Sequence, residues 1–186
     1  MTRTMTSSIL TYSGKLFDVL KPDPNLIDLV DIAAALSKLC RFGGHCREFY
    51  SVAEHSILAS ALIQQEYPED RTLAAWALLH DASEAYMVDI PRPVKRQLQE
   101  YVRLEDAIQK SIAERFALPW PMPDEVHQAD TNMLALELRV YMPANPDVQS
   151  QLIPSRELAS GLPSVPLEPR AANAEFLARA QSFGIR

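Results

Sequence analysis

Three ionisable residues close one apolar run: His80, Asp81 and Glu84 follow Leu73–Leu79. If the helix continues, His80 and Glu84 are four residues apart and share a face. Asp81 then stands about 100° around the axis from His80, so both can reach one cation at the helix edge. Ionisable groups in apolar surroundings are costly unless they are paired or bound to metal. Two further residues sit at or near the ends of apolar helical segments, His55 in Ala53-Glu54-His55-Ser56 and Asp130 in Gln128-Ala129-Asp130-Thr131. If the helices converge, His55, His80, Asp81 and Asp130 form a metal site. Two imidazoles and two carboxylates suit Mn²⁺, Fe²⁺, Co²⁺ or Zn²⁺ better than an all-oxygen site does, and Mg²⁺ stays open as an alternative. Taken singly, the same residues also read as a hydrogen-bonded histidine, a capping carboxylate and a chance dipeptide. Spacing leaves both readings open.

The elements that must position these groups are helices. Apolar residues at Val30, Ile32, Ala33, Leu36 and Leu39 predict a helix over Asp28–Leu39 with Asp28 as its cap. Val52, Ile57, Leu58, Ala61 and Leu62 predict a second, starting at Ser51 or Ala53 and ended by Pro68. Asp70 caps a third, which holds Leu73–Ala85. Lys95–Phe116 reads as one long helix and Asp124 as the cap of another, while Ala171–Ser182 reads as a final helix that docks back. Ile9–Tyr12 and Leu16–Leu20, around Ser13-Gly14-Lys15, suit a small hairpin. The expected class is all-α: a helical bundle over residues 1–142, with a Pro-rich segment and closing helix, 143–186, packed on the same domain. At 186 residues and 47% hydrophobic the chain can build a real core. A net charge of −6 without a basic stripe argues against nucleic acid as partner. Met1–Leu10 has Arg3 but no apolar leader core, and the two cysteines, Cys40 and Cys46, suit a reducing compartment. The expectation is a cytoplasmic protein without a membrane span.

The ordered pattern His55 … His80-Asp81 … Asp130 resembles the HD-domain metal-dependent phosphohydrolases. The longer strings Ser51-Val52-Ala53-Glu54-His55-Ser56, His80-Asp81-Ala82-Ser83-Glu84-Ala85 and Asp89-Ile90-Pro91-Arg92-Pro93-Val94-Lys95 look like the bacterial 5′-deoxynucleotidase branch. An arginine–aromatic pair, Arg41-Phe42, stands upstream as in that branch. The likeness covers roughly Leu39 to Glu137.

The resemblance implies that His55, His80, Asp81 and Asp130 hold a divalent ion. It places Glu84 against the attacking water or the ester oxygen, Asp89 on the sugar and Arg41 on the phosphate. Phe42 stands where the branch usually has tryptophan; it can stack but has no indole donor. Arg92 and Lys95 add phosphate contacts or are solvated charges at a helix start. The implied activity is hydrolysis of a deoxyribonucleoside 5′-monophosphate to nucleoside and phosphate. A deoxynucleoside triphosphate triphosphohydrolase is the rival, with Arg47 as a further cation, and a non-catalytic nucleotide-sensing domain is a third reading. A nucleotide is the expected small-molecule partner, and an apolar face on Lys95–Phe116 would make a homodimer natural. His45 is read as facing the pocket, His127 as a surface or supporting histidine, Glu54 as a structural hydrogen-bond partner, and Tyr86 and Trp76 as core. Cys40, His45 and Cys46 lack a fourth ligand at zinc-finger spacing.

Overall fold

Three capping side chains open the first long helices of the computed structural model, which describes residues 7–186. Asp28 Oδ1 accepts from Val30 N at the start of α1 (Leu29–Leu36), Ser51 Oγ from Glu54 N at α2 (Val52–Glu66), and Asp70 Oδ1 from Leu73 N at α3 (Arg71–Leu79). Each satisfies an N–H that a helix start leaves unpaired. Short α4 (Glu84–Met87) and α5 (Arg92–Lys95) follow, then the long α6 (Gln99–Arg115) and α7 (Asp124–Val140), short α8 (Pro146–Gln151), and α9 (Pro169–Ser182). The chain is 56% helical and its only sheet among the described residues has two strands, so the all-α expectation holds. That sheet is the predicted hairpin, β1 (Ser8–Leu10) antiparallel to β2 (Leu16–Asp18), with Ile9 opposite Phe17. The leader reading rests partly on residues 1–6, which lie outside the described residues. Among the described residues no helix is long and apolar enough to cross a membrane.

Helix α2 is the central element: α3, α7 and α9 all pack on it, and α1 and α9 pack on each other. One core gathers Phe17, Ile32, Leu36, Val52, Leu78, Leu79, Ile108, Ile112 and Phe176. A second joins α2, α3 and α7 through Leu62, Ile63, Trp76, Val126, Ala129 and Met133. Trp76 and Tyr86 are buried as expected, and Tyr86 packs its ring on Phe17 with centroids 4.2 Å apart. The closing helix docks back through Ala172, Phe176 and Ala180, all fully buried. Phe176→Ala is expected to cost about 3–5 kcal/mol of stability, as ring deletion in a packed core does. Chemical denaturation measures it, and a loss under 1 kcal/mol would mean that α9 is not part of the core.

Four sequence expectations are corrected. The helix expected over Leu73–Ala85 stops at Leu79, and residues 80–83 form a tight turn before α4. Gln109 of α6 accounts for the stop: its amide Nε2 donates to Leu79 O at 2.7 Å, and its Oε1 accepts from Ser83 N at 3.0 Å. The helix expected over Lys95–Phe116 starts only at Gln99: Lys95 closes the short α5, and the chain breaks before α6 at Leu98, whose exposed side chain gives no burial to hold a continuous face. Its apolar face at Ile108 and Ile112 belongs to the core. Val30 points outward while Asp31 is buried, because Asp31 accepts from both the backbone N and the Oγ of Ser13 in the hairpin loop. Asp124 is the first residue inside α7 and Pro123 holds the cap position. There the Asp124 carboxylate complements the positive end of the helix dipole.

Candidate metal centre and its cleft

Three of the four candidate ligands stand where a helix starts, stops or turns, and the fourth, Asp130, lies within one. His55 lies in the first turn of α2, His80 caps the C-terminus of α3, Asp81 is in the tight turn, and Asp130 is in the second turn of α7. The fold brings them together. His55 Nε2 is 3.1 Å from His80 Nε2, 3.3 Å from Asp130 Oδ1 and 3.6 Å from Asp81 Oδ2, and His80 Nε2 is 3.2 Å from Asp81 Oδ2. His55, His80 and Asp130 each offer one atom within 4.8 Å of the others, a group that could hold a metal ion.

The hydrogen bonds behind the two imidazoles show why a cation fits. His80 Nδ1 is 2.7 Å from the carbonyl of Ala77, which only accepts, so that nitrogen carries hydrogen. His55 Nδ1 is 2.5 Å from the carboxylate of Glu137 and donates in the same way. Both Nε2 atoms therefore turn toward one another and toward two carboxylates. Bare lone pairs at 3.1 Å repel, so a proton or a metal ion must lie between them. Among protein groups alone, burial and Arg41 oppose charge on His55, yet Glu137 and Asp130 outweigh them and lift it to about 9. Burial would raise Asp81 and Asp130, but the facing imidazoles hold both well below the usual carboxylate range. A divalent cation in that place supplies the same compensation with more charge.

Beside this cluster opens a cleft of about 370 Å³, lined by Arg41, Phe42, Asp81, Glu84, Asp89, Arg92, Lys95 and Asp130, with an apolar wall of Ile90, Leu134 and Leu138. Arg41, Phe42, Glu84, Asp89, Arg92 and Lys95 are thus brought to one cavity. Arg41 opens a 3₁₀ turn, Arg41–Gly44, in which Phe42 and Gly43 take left-handed backbone angles with φ of 56° and 60°. Buried Arg41 makes ion pairs with Glu137 (3.1 Å) and Asp81 (3.5 Å). Arg92 Nη2 pairs with Asp130 Oδ2, and Lys95 Nζ lies 2.7 Å from Glu105 and 3.8 Å from Glu84. Arg92 and Lys95 therefore both line the cleft, Arg92 at its exposed rim and Lys95 half-buried.

Glu84 faces the cleft from the start of α4 and is buried, and its Oε2 has no hydrogen-bond partner. Burial, then Asp81 and Asp89, push its pKa well above the ordinary carboxylate range. The break after Leu79 does not separate Glu84 from the cluster, because the tight turn carries α4 to the same side.

Other candidates fall away from the cleft. Arg47 and His45 are exposed and do not line it, and His127 lines a separate groove with Gln151 and Ile153. Cys46 donates to Arg41 O at 3.3 Å; burial first, then Cys40, pushes its thiol up to about 12, which is unlike a zinc thiolate. Glu54 is the structural partner expected, accepting from Leu167 N at 2.7 Å. Burial raises Glu54 to about 7 from its ordinary 4.5, against the Leu167 bond and with help from Glu137. The folded protein therefore keeps a proton that the unfolded chain releases, and stability falls as pH rises from 4.5 to 7 and levels above. Glu54→Gln is expected to flatten that slope in denaturation curves taken across the window. An unchanged slope would assign the pH dependence to other groups.

Glu137 is the residue the sequence reading missed. It is fully buried in α7, and besides Arg41 and His55 it accepts from Tyr50 Oη at 2.7 Å. It lies seven residues, two helical turns, beyond Asp130, so a carboxylate pair on the inward face of α7 was the available signal.

No family model matches the chain. The uncharacterized protein YfdR of Escherichia coli (strain K12) is 47% identical over 133 residues, 72% of this chain and 71% of that protein. An uncharacterized protein of Rhodobacter capsulatus is 38% identical over 123 residues, 63% of this chain and 62% of its own length.

Proposed function

The chain belongs to one family with YfdR of Escherichia coli, and from the geometry of its cleft we propose that it is an HD-type metal-dependent phosphohydrolase acting on deoxyribonucleoside 5′-monophosphates. The observation that carries this reading is the facing pair of Nε2 atoms, 3.1 Å apart, with Asp81 and Asp130 beside them at the edge of a cleft that also holds Arg41 and Glu84. His55, His80, Asp81 and Asp130 would hold the ion, of the Mn²⁺, Fe²⁺, Co²⁺, Zn²⁺ or Mg²⁺ class. When bound, it would polarise a phosphoryl oxygen and lower the pKa of water near the phosphorus.

The protein's own residues supply the rest. Arg41 Nη1, directed toward Asp81 and the cleft, binds a non-bridging phosphate oxygen and stabilises the charge that grows there. Glu84 Oε2 takes the proton of the attacking water and delivers it to the departing 5′ oxygen, a task suited to a carboxyl whose pKa burial has raised. Phe42, Ile90, Leu134 and Leu138 offer apolar surface to the nucleoside, and Asp89 offers an acceptor to its sugar. The cleft's cations favour a single phosphate over three. Arg41, Arg92 and Lys95 are each already paired with a carboxylate, and the lining also carries Asp81, Glu84, Asp89 and Asp130.

The test is product identification. Chelator-stripped protein is supplied with each divalent ion and incubated with deoxynucleoside mono- and triphosphates and their ribose counterparts. Orthophosphate plus nucleoside from monophosphates is the expected result. Triphosphate release would replace the substrate assignment, and no turnover despite bound metal would replace the enzyme by a nucleotide sensor.

A further inference from the structure

Glu137 belongs to none of the roles assigned above, yet it is the most heavily bonded carboxylate behind the cleft. Its Oε1 accepts from His55 Nδ1 at 2.5 Å and from Tyr50 Oη at 2.7 Å, and its Oε2 faces Arg41 Nε at 3.2 Å and Nη2 at 3.1 Å. We propose that Glu137 is the positioning residue of the site, holding His55 with Nε2 toward the metal position and Arg41 with Nη1 toward the cleft. The inference rests on the metal-site reading and adds a residue to it.

The argument is one of geometry. An imidazole on its Cβ can rotate and can carry its proton on either nitrogen, and only one combination presents the Nε2 lone pair to the cluster. A carboxylate that only accepts, fixed 2.5 Å from Nδ1, selects that tautomer and that ring orientation. The same carboxylate takes two of the guanidinium's donor groups, leaving Nη1 as the one turned to Asp81, 3.5 Å away. Glu137 is itself immobile: it has no exposed surface, and Tyr50, also fully buried, holds its Oε1 from the other side. One side chain therefore sets the direction of both the metal ligand and the anion-facing cation. Its placement on α7, two turns from Asp130, ties both to the helix that brings the second carboxylate.

The experiment measures metal affinity directly, by competition of Co²⁺ against a chromogenic chelator, and records the visible spectrum of bound Co²⁺. Glu137→Gln keeps the shape of the side chain but loses the charge, and it turns an amide N–H₂ toward either Arg41 or His55. It is expected to weaken Co²⁺ binding by about 10- to 100-fold and to alter the spectrum. Tyr50→Phe removes a neighbour of Glu137 while leaving His55 and Arg41 in place, so it is expected to bind Co²⁺ within a few-fold of the wild type. Wild-type affinity in Glu137→Gln would overturn the proposal, as would equal losses in the two variants, which would mark Glu137 as merely structural. Should Glu137→Gln fail to fold, the wild-type protein answers alone. With Zn²⁺ bound, side-chain ¹⁵N correlation spectra are expected to show His55 protonated at Nδ1, and a proton on Nε2 would overturn the assignment. Absence of any metal binding by the wild type would instead remove the metal-site reading itself.

Discussion

Glu84→Gln is expected to leave metal affinity unchanged and to lower kcat by about 10²- to 10⁴-fold, the range that a positioned proton carrier supplies. The substitution is nearly isosteric, and the hydrogen bond Glu84 makes to a candidate ligand, from its N–H to Asp81 O at 3.0 Å, is a backbone one that survives it, so the candidate cluster keeps its geometry. What is lost is a carboxyl group that can hold a proton. In the wild type the group is buried, with Oε2 unpartnered and Lys95 Nζ only within 3.8 Å of Oε1. Burial and the two neighbouring aspartates raise its pKa, so it can give a proton back after taking one. A buried polar atom without a partner costs about 1–3 kcal/mol, and this one belongs to a side chain that lines the cleft, where a reacting water would satisfy it. Steady-state kinetics with a deoxynucleoside monophosphate, run beside metal titration, separates the two effects. Near-normal kcat in the variant would take Glu84 out of the chemistry.

Asp130→Ala is expected to do the opposite, removing metal binding and turnover together. Asp130 Oδ1 is one of the three atoms that converge within 4.8 Å, and its side chain is the only convergent carboxylate of that group. Without it, the two imidazoles and Asp81 remain, and the affinity should fall by more than the roughly 100-fold typical of losing a partner behind a ligand. Thermal unfolding gives a direct reading. A divalent ion at 100 times its Kd stabilises the wild type by about 2.7 kcal/mol, and the same concentration should leave the variant's Tm nearly where the chelated protein has it. The variant also frees Arg92, which now pairs with Asp130 Oδ2. An equal Tm rise in both proteins would show that the ion binds elsewhere.

These two expectations rest on residues that the sequence made legible for a simple reason. His55 and His80 stand at the ends of apolar helical runs and Asp130 within one; periodicity marks them as polar groups among apolar ones, and the ordered pattern His55 … His80-Asp81 … Asp130 is what singled them out as ligands. The caps Ser51 and Asp70, and the helices they start, were legible on the same grounds. The pairings that finish the site were not. Gln109 reaches the turn after Leu79 across 30 residues, and Glu137 reaches His55 across 82 and Arg41 across 96. Periodicity says that a position faces inward; it does not say which distant group it meets there. The same limit explains Arg92 and Lys95, whose charges looked equally suited to solvent until the fold set them opposite Asp130 and Glu105.

The C-terminal stretch bears on the site from an unexpected side. None of residues 143–186 lines the cleft. They attach behind it instead: Leu167 N donates to Glu54 at the first turn of α2, Tyr141 Oη donates to Pro163 O, and Phe176 fills the core against α1 and α2. The turn that carries His55 is thus clamped between Glu137 in front and the returning chain at its back. A nick in the Pro-rich stretch would not uncover the substrate. It would loosen the footing of His55, so that local opening at the far end of the chain would disturb the candidate metal centre without touching the cleft.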